Sequence, residues 1–132
     1  MAGEQDLSRL LAGLSPQLRE GEYVFCTFAD AGYGDYSALS PLAAFREHEG
    51  LTLVLPRAKA DAAACPYEGV FACITLTVHS SLDAVGLTAA VSKVLADADI
   101  PANVIAAYHH DHVFVPAARA EQALAALAAL SQ

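Results

Sequence analysis

The chain has 132 residues, of which 55% are hydrophobic and 17% charged, and it carries a formal net charge of −8. This length accommodates one ordinary domain or two very small ones. Because lysine and arginine form no cluster, nucleic acid and anionic membranes are poor partners, and no apolar run approaches the roughly 18 residues that a membrane span needs. The three cysteines include no CxxC pair, so we expect reduced thiols in a cytoplasmic protein.

The sequence before residue 41 predicts a helix, a connector, a strand and a long loop. Asp6 can cap the helix, in which leucines recur at helical spacing. Pro16 and Gly21 bracket the connector, residues 22–28 form the strand, and residues 29–40 form the loop. Loops of this length often cover a functional site.

A comparison of the chain with itself predicts a hairpin next. Residues 40–50 have the N-cap, the proline and the C-terminal glycine of a helix. However, Leu42-Ala-Ala-Phe45 lines up with Ile105-Ala-Ala-Tyr108, and residues 53–56 line up with 113–116. The first copy has three more residues between its two matched pieces than the second. We therefore predict a hairpin here in place of a helix.

The second half of the sequence reads as strand, helix, strand, turn, strand and helix. Apolar residues alternate along the first strand, and Ser80 and Asp83 have the spacing of a capping box before the helix. The predicted strands are 71–78, 103–108 and 112–115, and the predicted helices are 82–98 and a final one that begins at Pro116.

Both halves contain a strand, a connection, a hairpin and a helix, which is the order of a ferredoxin-like βαββα unit. We therefore predict an α+β fold with two tandem pseudo-repeats, antiparallel sheets and helices on one face. The first repeat spans residues 1–67, with its first helix replaced by a loop, and the second spans residues 68–132. Because the strands are apolar on both faces, the other half, the N-terminal helix or a second copy of the chain must cover the second face.

Two stretches of the second half, residues 74–88 and 103–116, resemble the ACT domain. More narrowly, they resemble the CASTOR-type proteins, which contain two ACT modules and include small bacterial proteins and the cytosolic arginine sensors of animals. ACT domains are regulatory modules that often bind an amino acid at the junction of two modules, through the loop after the first strand and the backbone of the next strand. The resemblance therefore implies ACT-like units in a regulatory protein that senses an amino acid, has no enzymatic activity and needs no cofactor.

The predicted ligand site begins at a helix start, where unpaired N–H groups and the positive end of the helix dipole suit an α-carboxylate. Ser80 and Ser81 lie there, and Asp83 could hold an α-ammonium group. Gly86 would let a ligand approach the backbone, and Val85 stands where the usual ACT loop has a proline. The alternative is ordinary capping by the serines, with Gly86 admitting close packing.

The predicted site continues in the second hairpin. The amide of Asn103 could donate and accept hydrogen bonds, and Val104 would contribute only its backbone. The resemblance to the arginine sensors implies that Tyr108 and Asp111 hold the ligand, although an aspartate at a turn is also an ordinary turn former. The candidate ligand-binding residues are therefore Ser80, Ser81, Asp83, Val85, Gly86, Asn103, Val104, Tyr108 and Asp111.

Two other functions stay open at this point. His109, His110, Asp111 and His112 could bind a divalent metal that activates water, which would make the protein a metal-dependent enzyme. A solvated turn is the simpler interpretation, and we assign no catalytic or metal-ligating residue. The chain could also be a pure interaction module, with a homodimer as its candidate assembly.

Overall fold

The computed structural model describes residues 6–78 and 85–131. The chain forms two units, a discontinuous unit that comprises Met1–Arg19 and Ala72–Gln132 and a continuous unit that comprises Glu20–Phe71. None of the helices in the described ranges combines the length and the apolar character that a membrane crossing requires.

Helices and strands are mixed along the chain, as the sequence predicts. In chain order the described elements are α1 (Leu7–Ala12), β1 (Pro16–Leu18), β2 (Tyr23–Phe28), β3 (Ala43–Glu47), β4 (Gly50–Pro56), α2 (Arg57–Ala62), β5 (Phe71–Leu76), α3 (Leu87–Asp97), β6 (Asn103–Ala106), β7 (Asp111–Pro116) and α4 (Ala120–Ala128).

In the discontinuous unit, β5, α3, β6, β7 and α4 follow each other in the βαββα order. Its strands are arranged β1-β5-β7-β6, with β1 antiparallel to β5 and β6 antiparallel to β7. Alternate residues of β5 and β7 join side chains of α1, α3 and α4 in one buried cluster, so the helices cover one face of this sheet. The cluster includes Leu10, Ile74, Val91, Leu95, Val113, Val115 and Leu127.

In the continuous unit, the three strands are arranged β3-β4-β2 and pair antiparallel. Alternate residues of β2 and β4 form a second buried cluster with α2. Residues 29–42, all of which the structure describes, join β2 to β3 through a single 3-10 turn at Ser37–Leu39. A loop therefore stands where the discontinuous unit has α3. The cluster consists of Val24, Cys26, Leu51, Leu53, Leu55 and Ala60.

The two hairpins are equally long, which corrects the predicted alignment of the repeat. Leu53 of β4 lies opposite Ala44, and Val113 of β7 lies opposite Val104. Ala44 therefore corresponds to Val104, whereas the sequence comparison placed it with Ala107 and was wrong by three residues. Pairs of alanines match at many offsets, but the register of a hairpin is set by which side chains face the core.

The N-terminal helix and the first hairpin are confirmed. Asp6 caps α1, because its side chain accepts a hydrogen bond from the backbone N–H of Arg9 at 3.1 Å. Strands β3 and β4 form a hairpin in the segment that also had the signals of a helix. The predicted division into halves 1–67 and 68–132 follows the sequence repeat, whereas the two units described above follow packing. The predicted halves therefore stay a proposal.

One predicted element was wrong, and the first residue of another was misplaced. Pro16–Leu18, predicted as a connector, is strand β1, which forms by pairing with β5, a partner far away in the sequence. The helix predicted from Leu82 begins at Leu87, after Gly86 with a φ of +100°. The capping-box residues of that prediction lie outside the described residues.

Candidate functional site

The predicted site falls only partly on described residues. Ser80, Ser81 and Asp83 lie outside them, so the roles predicted for these three side chains stay proposals. Val85, Gly86, Asn103, Val104, Tyr108 and Asp111 are described, and all six belong to the discontinuous unit.

The turn of the β6–β7 hairpin brings two of the predicted residues close together. Ala106 lies opposite Asp111, and the N–H of Ala107 donates a hydrogen bond to the carbonyl oxygen of His110 at 3.0 Å. Tyr108 lies in the turn that these contacts close. Asn103 is at the opposite end of β6, about 10 Å away along the strand at the usual rise per residue. The turn therefore unites Tyr108 with Asp111 and leaves Asn103 apart.

Strand β6 ends the strand order of the discontinuous unit and presents backbone groups at its outer edge. In an antiparallel pair, every second residue directs its N–H and C=O groups to the partner strand, and the residues between them direct these groups away from it. Ala107 hydrogen-bonds across the hairpin to His110, so the N–H and C=O groups of Val104 and Ala106 point outward. The side chain of Val104 packs against the buried cluster. Val104 can therefore offer a ligand its backbone and no side-chain contact.

Asp111 is a half-buried carboxyl group at the first position of β7. Burial raises its pKa above the ordinary value, and the neighbouring imidazoles of His112 and His110 act in the opposite direction. Among the described residues, the lysine and arginine ion pairs involve other carboxylates and leave Asp111 without a cationic partner. The site thus contains a desolvated acid that lacks a strong counter-charge.

The histidines of the hairpin have different environments. The ring nitrogen Nδ1 of His112 lies 3.0 Å from the hydroxyl oxygen of Thr75, and burial lowers the pKa of this imidazole. His109 packs edge-on against Tyr108, with ring centroids 5.0 Å apart. In the described part of the chain, Nδ1 of His110 is buried and has no hydrogen-bond partner. The three imidazoles therefore differ in their contacts: His112 lies next to a hydroxyl group, His109 packs on an aromatic ring, and Nδ1 of His110 has no hydrogen-bond partner among the described residues.

The predicted alternative of a metal centre gains no support from this geometry. Within residues 6–78 and 85–131, no three side chains of His, Cys, Asp or Glu come together in a way that could hold a metal ion. A catalytic or structural site needs at least three protein ligands. The hypothesis of a metal-dependent enzyme therefore has no structural basis among these residues.

Gly86 has a neighbour that the sequence did not predict. A Cβ atom placed on Gly86 would lie 3.1 Å from Cδ2 of Leu7, which belongs to α1. The space next to this backbone is therefore used by a leucine side chain. Val85, by contrast, is 83% exposed and available to a ligand.

Sequence reasoning missed two groups near the hairpin, Thr75 and Arg19. The hydroxyl oxygen of Thr75 lies 3.0 Å from Nδ1 of His112. The positive charge of Arg19 lowers the pKa of His112, and only burial has a larger effect on it. The alternation of polar and apolar residues in β5 indicated that Thr75 and Thr77 share a face. Nothing in the sequence indicated which histidine would lie opposite that face.

Two models of the ACT domain match the sequence, one over residues 2–72 and the other over residues 69–129. The chain belongs to the ACT-domain family. The predicted resemblance of this tandem ACT protein to the ACT domain is confirmed, and the narrower resemblance to the CASTOR-type proteins stays a prediction. No curated protein matches this tandem ACT protein.

Solved structures agree with the ferredoxin-like α+β class. A Vibrio cholerae protein of unknown function, described as a possible transport protein, is 52% identical, with 96% of each chain covered and a TM-score of 0.87. An Agrobacterium tumefaciens protein shows 16% identity over 89% of each chain, with a TM-score of 0.73. The regulatory subunit of aspartate kinase from Thermus thermophilus shows 11% identity over 91% of this chain and 99% of its own, with a TM-score of 0.58. The predicted fold class is confirmed.

Proposed function

We propose that this tandem ACT protein is a non-catalytic regulatory protein that binds an amino acid at the turn of the β6–β7 hairpin. Membership of the ACT-domain family supports a small-molecule-binding regulatory role. The resemblance to the CASTOR-type proteins supports an amino acid as the ligand. Binding would act by population shift, since a ligand favours the conformation in which its contacts are complete.

The observation that carries the proposal is the environment of Asp111. A half-buried carboxylate loses hydration and needs a cation to restore its interaction energy. The histidines beside it supply only part of that compensation, because burial remains the largest cause acting on its pKa. An α-ammonium or guanidinium group would supply the missing charge, and amino acids carry such groups.

Two further features of the hairpin suit a small ligand. The ring of Tyr108 is 64% exposed next to Asp111, so it can stack on a ligand or contact a cation through its π face. The outward N–H and C=O groups of Val104 can bind the backbone-like part of an amino acid. In this proposal Asn103, at the far end of β6, contributes only if the ligand is long.

The loop before α3 completes the proposed site. Ser80, Ser81 and Asp83 are retained for the α-carboxylate and the α-ammonium group, and Val85 offers an exposed apolar side chain. For Gly86 we retain a backbone contact on the side that Leu7 does not fill.

A thermal-shift screen of the twenty amino acids tests the proposal. At 100 times its Kd, a ligand adds about 2.7 kcal/mol to the free energy of unfolding, so the melting temperature should rise by several degrees for at least one amino acid. Asp111→Asn should abolish that shift, because the amide keeps the shape of the side chain and removes its charge.

Asp99→Asn is the matched control for this screen. Asp99 is exposed, belongs to the same unit and undergoes the same chemical change. Its variant should respond to the amino acid as the original protein does. An absence of any shift at millimolar concentration across the twenty amino acids, or an unchanged response in Asp111→Asn, would contradict the proposed function.

A pure interaction module is the second candidate, and the outer edge of β6 favours it. Unpaired strand edges readily add a strand from another chain. A homodimer formed through Val104 and Ala106 would show twice the monomer mass in solution, and Ala106→Pro should reduce it to the monomer because proline cannot donate to the added strand.

A further inference from the structure

The continuous unit contains a cavity at the position that α3 occupies in the discontinuous unit. Leu53 corresponds to Val113 by hairpin register, and Val113 is buried in the cluster to which α3 contributes. Over Leu51 and Leu53 the chain has instead the loop of residues 29–42, which encloses a cavity of about 310 Å³. This volume lies in the range of small-molecule pockets, about 300–1,000 Å³.

We call this cavity the loop cavity, and contacts with other residues hold its two tyrosine side chains in place. Tyr36 stacks on Phe28 with ring centroids 4.0 Å apart. Tyr33 accepts a hydrogen bond from the backbone N–H of Arg46 at 3.3 Å, and the Arg46 guanidinium carbon lies 4.9 Å from the centroid of its ring. Because both aromatic walls are held by other contacts, a ligand would meet a preformed surface.

The polar groups of the loop cavity are few and available. The lining includes the side chains of Ser37 and Ser40, and in the described part of the chain neither hydroxyl forms a hydrogen bond to another residue. The floor consists of two leucines, Leu51 and Leu53, which also belong to the buried cluster of this unit. An apolar body with one or two hydrogen-bonding groups fits such a lining.

A second, more open and acidic cavity of about 500 Å³ shares one lining residue, Tyr36, with the first. Asp30 and Asp35 line it, and one oxygen of Asp35 is fixed by the backbone N–H of Gly32 at 2.8 Å. Among the described residues that line the two cavities, none is a lysine or an arginine, and the guanidinium of Arg46 lies against Tyr33, which does not line the acidic cavity. The acidic cavity therefore favours a cation over an anion.

We propose that the loop cavity binds a small primary amine with an apolar ring or branched chain, whose ammonium group faces Asp30 and Asp35. The apolar body lies between the two tyrosines and the leucine floor. Tyr36 lines both cavities, and its ring contacts the ammonium group that faces the carboxylates. This site uses other residues than the β6–β7 hairpin and belongs to the other unit, so it stands independently of the proposed function.

Phenethylamine and phenylacetate form a matched pair of probes, because they share the aromatic ring and carry opposite charges. Isothermal titration calorimetry should show saturable binding of phenethylamine and none of phenylacetate. Tyrosine fluorescence gives a second readout, since the chain has five tyrosines and no tryptophan and two of them line the cavity. Equal binding of both probes, or binding of neither at millimolar concentration, would overturn the proposal.

Ala44→Phe tests the location. Ala44 is an exposed residue of β3 that lines the loop cavity, so a larger ring there fills the space without entering the core. Phenethylamine binding should be lost in Ala44→Phe and retained in Ala58→Phe, which makes the same change at an exposed position of α2. Circular dichroism confirms folding, and Ala44→Leu replaces the phenylalanine variant if its spectrum differs. Unchanged binding in a folded Ala44 variant would contradict the site.

The combined change Asp30→Asn and Asp35→Asn tests the charge. The amide oxygen of asparagine can still accept the hydrogen bond of Gly32, so the loop keeps its turn while both charges are removed. Affinity for phenethylamine should fall about tenfold or more, and Glu49→Gln in the hairpin turn should leave it unchanged. Binding should also survive Asp111→Asn. Loss in that variant with retention in Ala44→Phe would place the amine at the hairpin instead.

Discussion

Asp111 lies at the start of β7, where burial raises the pKa of its carboxyl group against the influence of His112 and His110. A raised pKa in the folded state means that the folded chain binds the proton more tightly than the unfolded chain does. The contribution of this group to stability is therefore complete below its ordinary pKa of 3.8 and is lost as the pH rises through the raised value. Such a destabilised group is typical of a site that awaits a ligand.

The first prediction from Asp111 concerns stability against pH. Asp111→Asn cannot ionise, so the variant should be more stable than the original protein at pH 7 and should lose that advantage as the pH falls towards 4. Urea unfolding of both proteins at several pH values measures the difference. Lower stability of the variant at pH 7 would show that the carboxylate is already compensated.

Single residues of the site differ in how far the sequence could predict them. The turn that contains Tyr108 and Asp111 was predicted from neighbouring residues, and the resemblance to the arginine sensors gave these two residues their predicted role. Thr75 and Arg19 were missed because only the pairing of strands brings them near His112. A sequence shows which residues are neighbours along the chain, but it shows much less of the contacts that tertiary packing makes between distant residues.

At the scale of elements, α3 begins directly after a residue in the left-handed backbone conformation. Gly86 has a φ of +100°, and a side chain there would be strained and would also meet Leu7 of α1. Side chains rarely adopt this backbone conformation. The glycine therefore sets both the first residue of α3 and its contact with α1.

Gly86→Ala should lower the free energy of unfolding by about 1–3 kcal/mol, the cost of an alanine in a sparsely populated backbone region. Gly21→Ala is the matched control, because Gly21 has a φ of +86° and open space around its missing Cβ. Denaturant titrations of both variants separate the cost of the backbone conformation, which both glycines share, from the cost of the contact with Leu7, which only Gly86 has. An equal loss in both would show that the contact with Leu7 adds nothing.

The elements that were predicted correctly carry local signals. The cap of Asp6 and the alternation of apolar residues in β5 are examples, because each depends on neighbouring residues alone. The β3–β4 hairpin is the exception, since its local signals were those of a helix and the internal repeat predicted it. Strand β1 has three residues and begins with proline, so its existence depends on β5. The start of α3 was misplaced by five residues, because the spacing of Ser80 and Asp83 suggests a helix from Leu82, whereas α3 begins at Leu87.

At the scale of the whole molecule, each unit contains a buried thiol. Cys26 is buried in the cluster of the continuous unit, and Cys73 is fully buried in the discontinuous unit. Burial raises the pKa of Cys73 to about 11, and the nearby Arg19 and Thr75 reduce that effect. Since the thiolate is the reactive form, a rise from 9.0 to about 11 makes it roughly a hundredfold scarcer at pH 8.

Thiol labelling should therefore report on the burial of Cys73 in the discontinuous unit. In the native protein at pH 8, Cys73 should react with iodoacetamide about a hundredfold more slowly than free cysteine, and it should react freely once urea unfolds the chain. Mass spectrometry of labelled peptides follows each cysteine, and Cys73→Ser identifies the slow signal. Rapid labelling of native Cys73 would mean that its core opens readily.

The tandem arrangement itself was predictable, because a repeated order of strands, hairpin and helix leaves a pattern in the sequence that survives the loss of one helix. The boundaries of the two units were harder to predict. The residues of α1 and β1 belong with the end of the chain by packing, and no local signal states that.

Strand β1 is paired with β5, and between them lie all the residues of the continuous unit except Phe71, the first residue of β5. During translation, β1 leaves the ribosome long before its partner has been synthesised. Glu20–Phe71 can bury its own hydrophobic cluster in that interval, since every member of the cluster is already present. Strand β1 is therefore synthesised before the continuous unit but reaches its final place after it, so the time of synthesis and the time of folding run in different orders along this part of the chain.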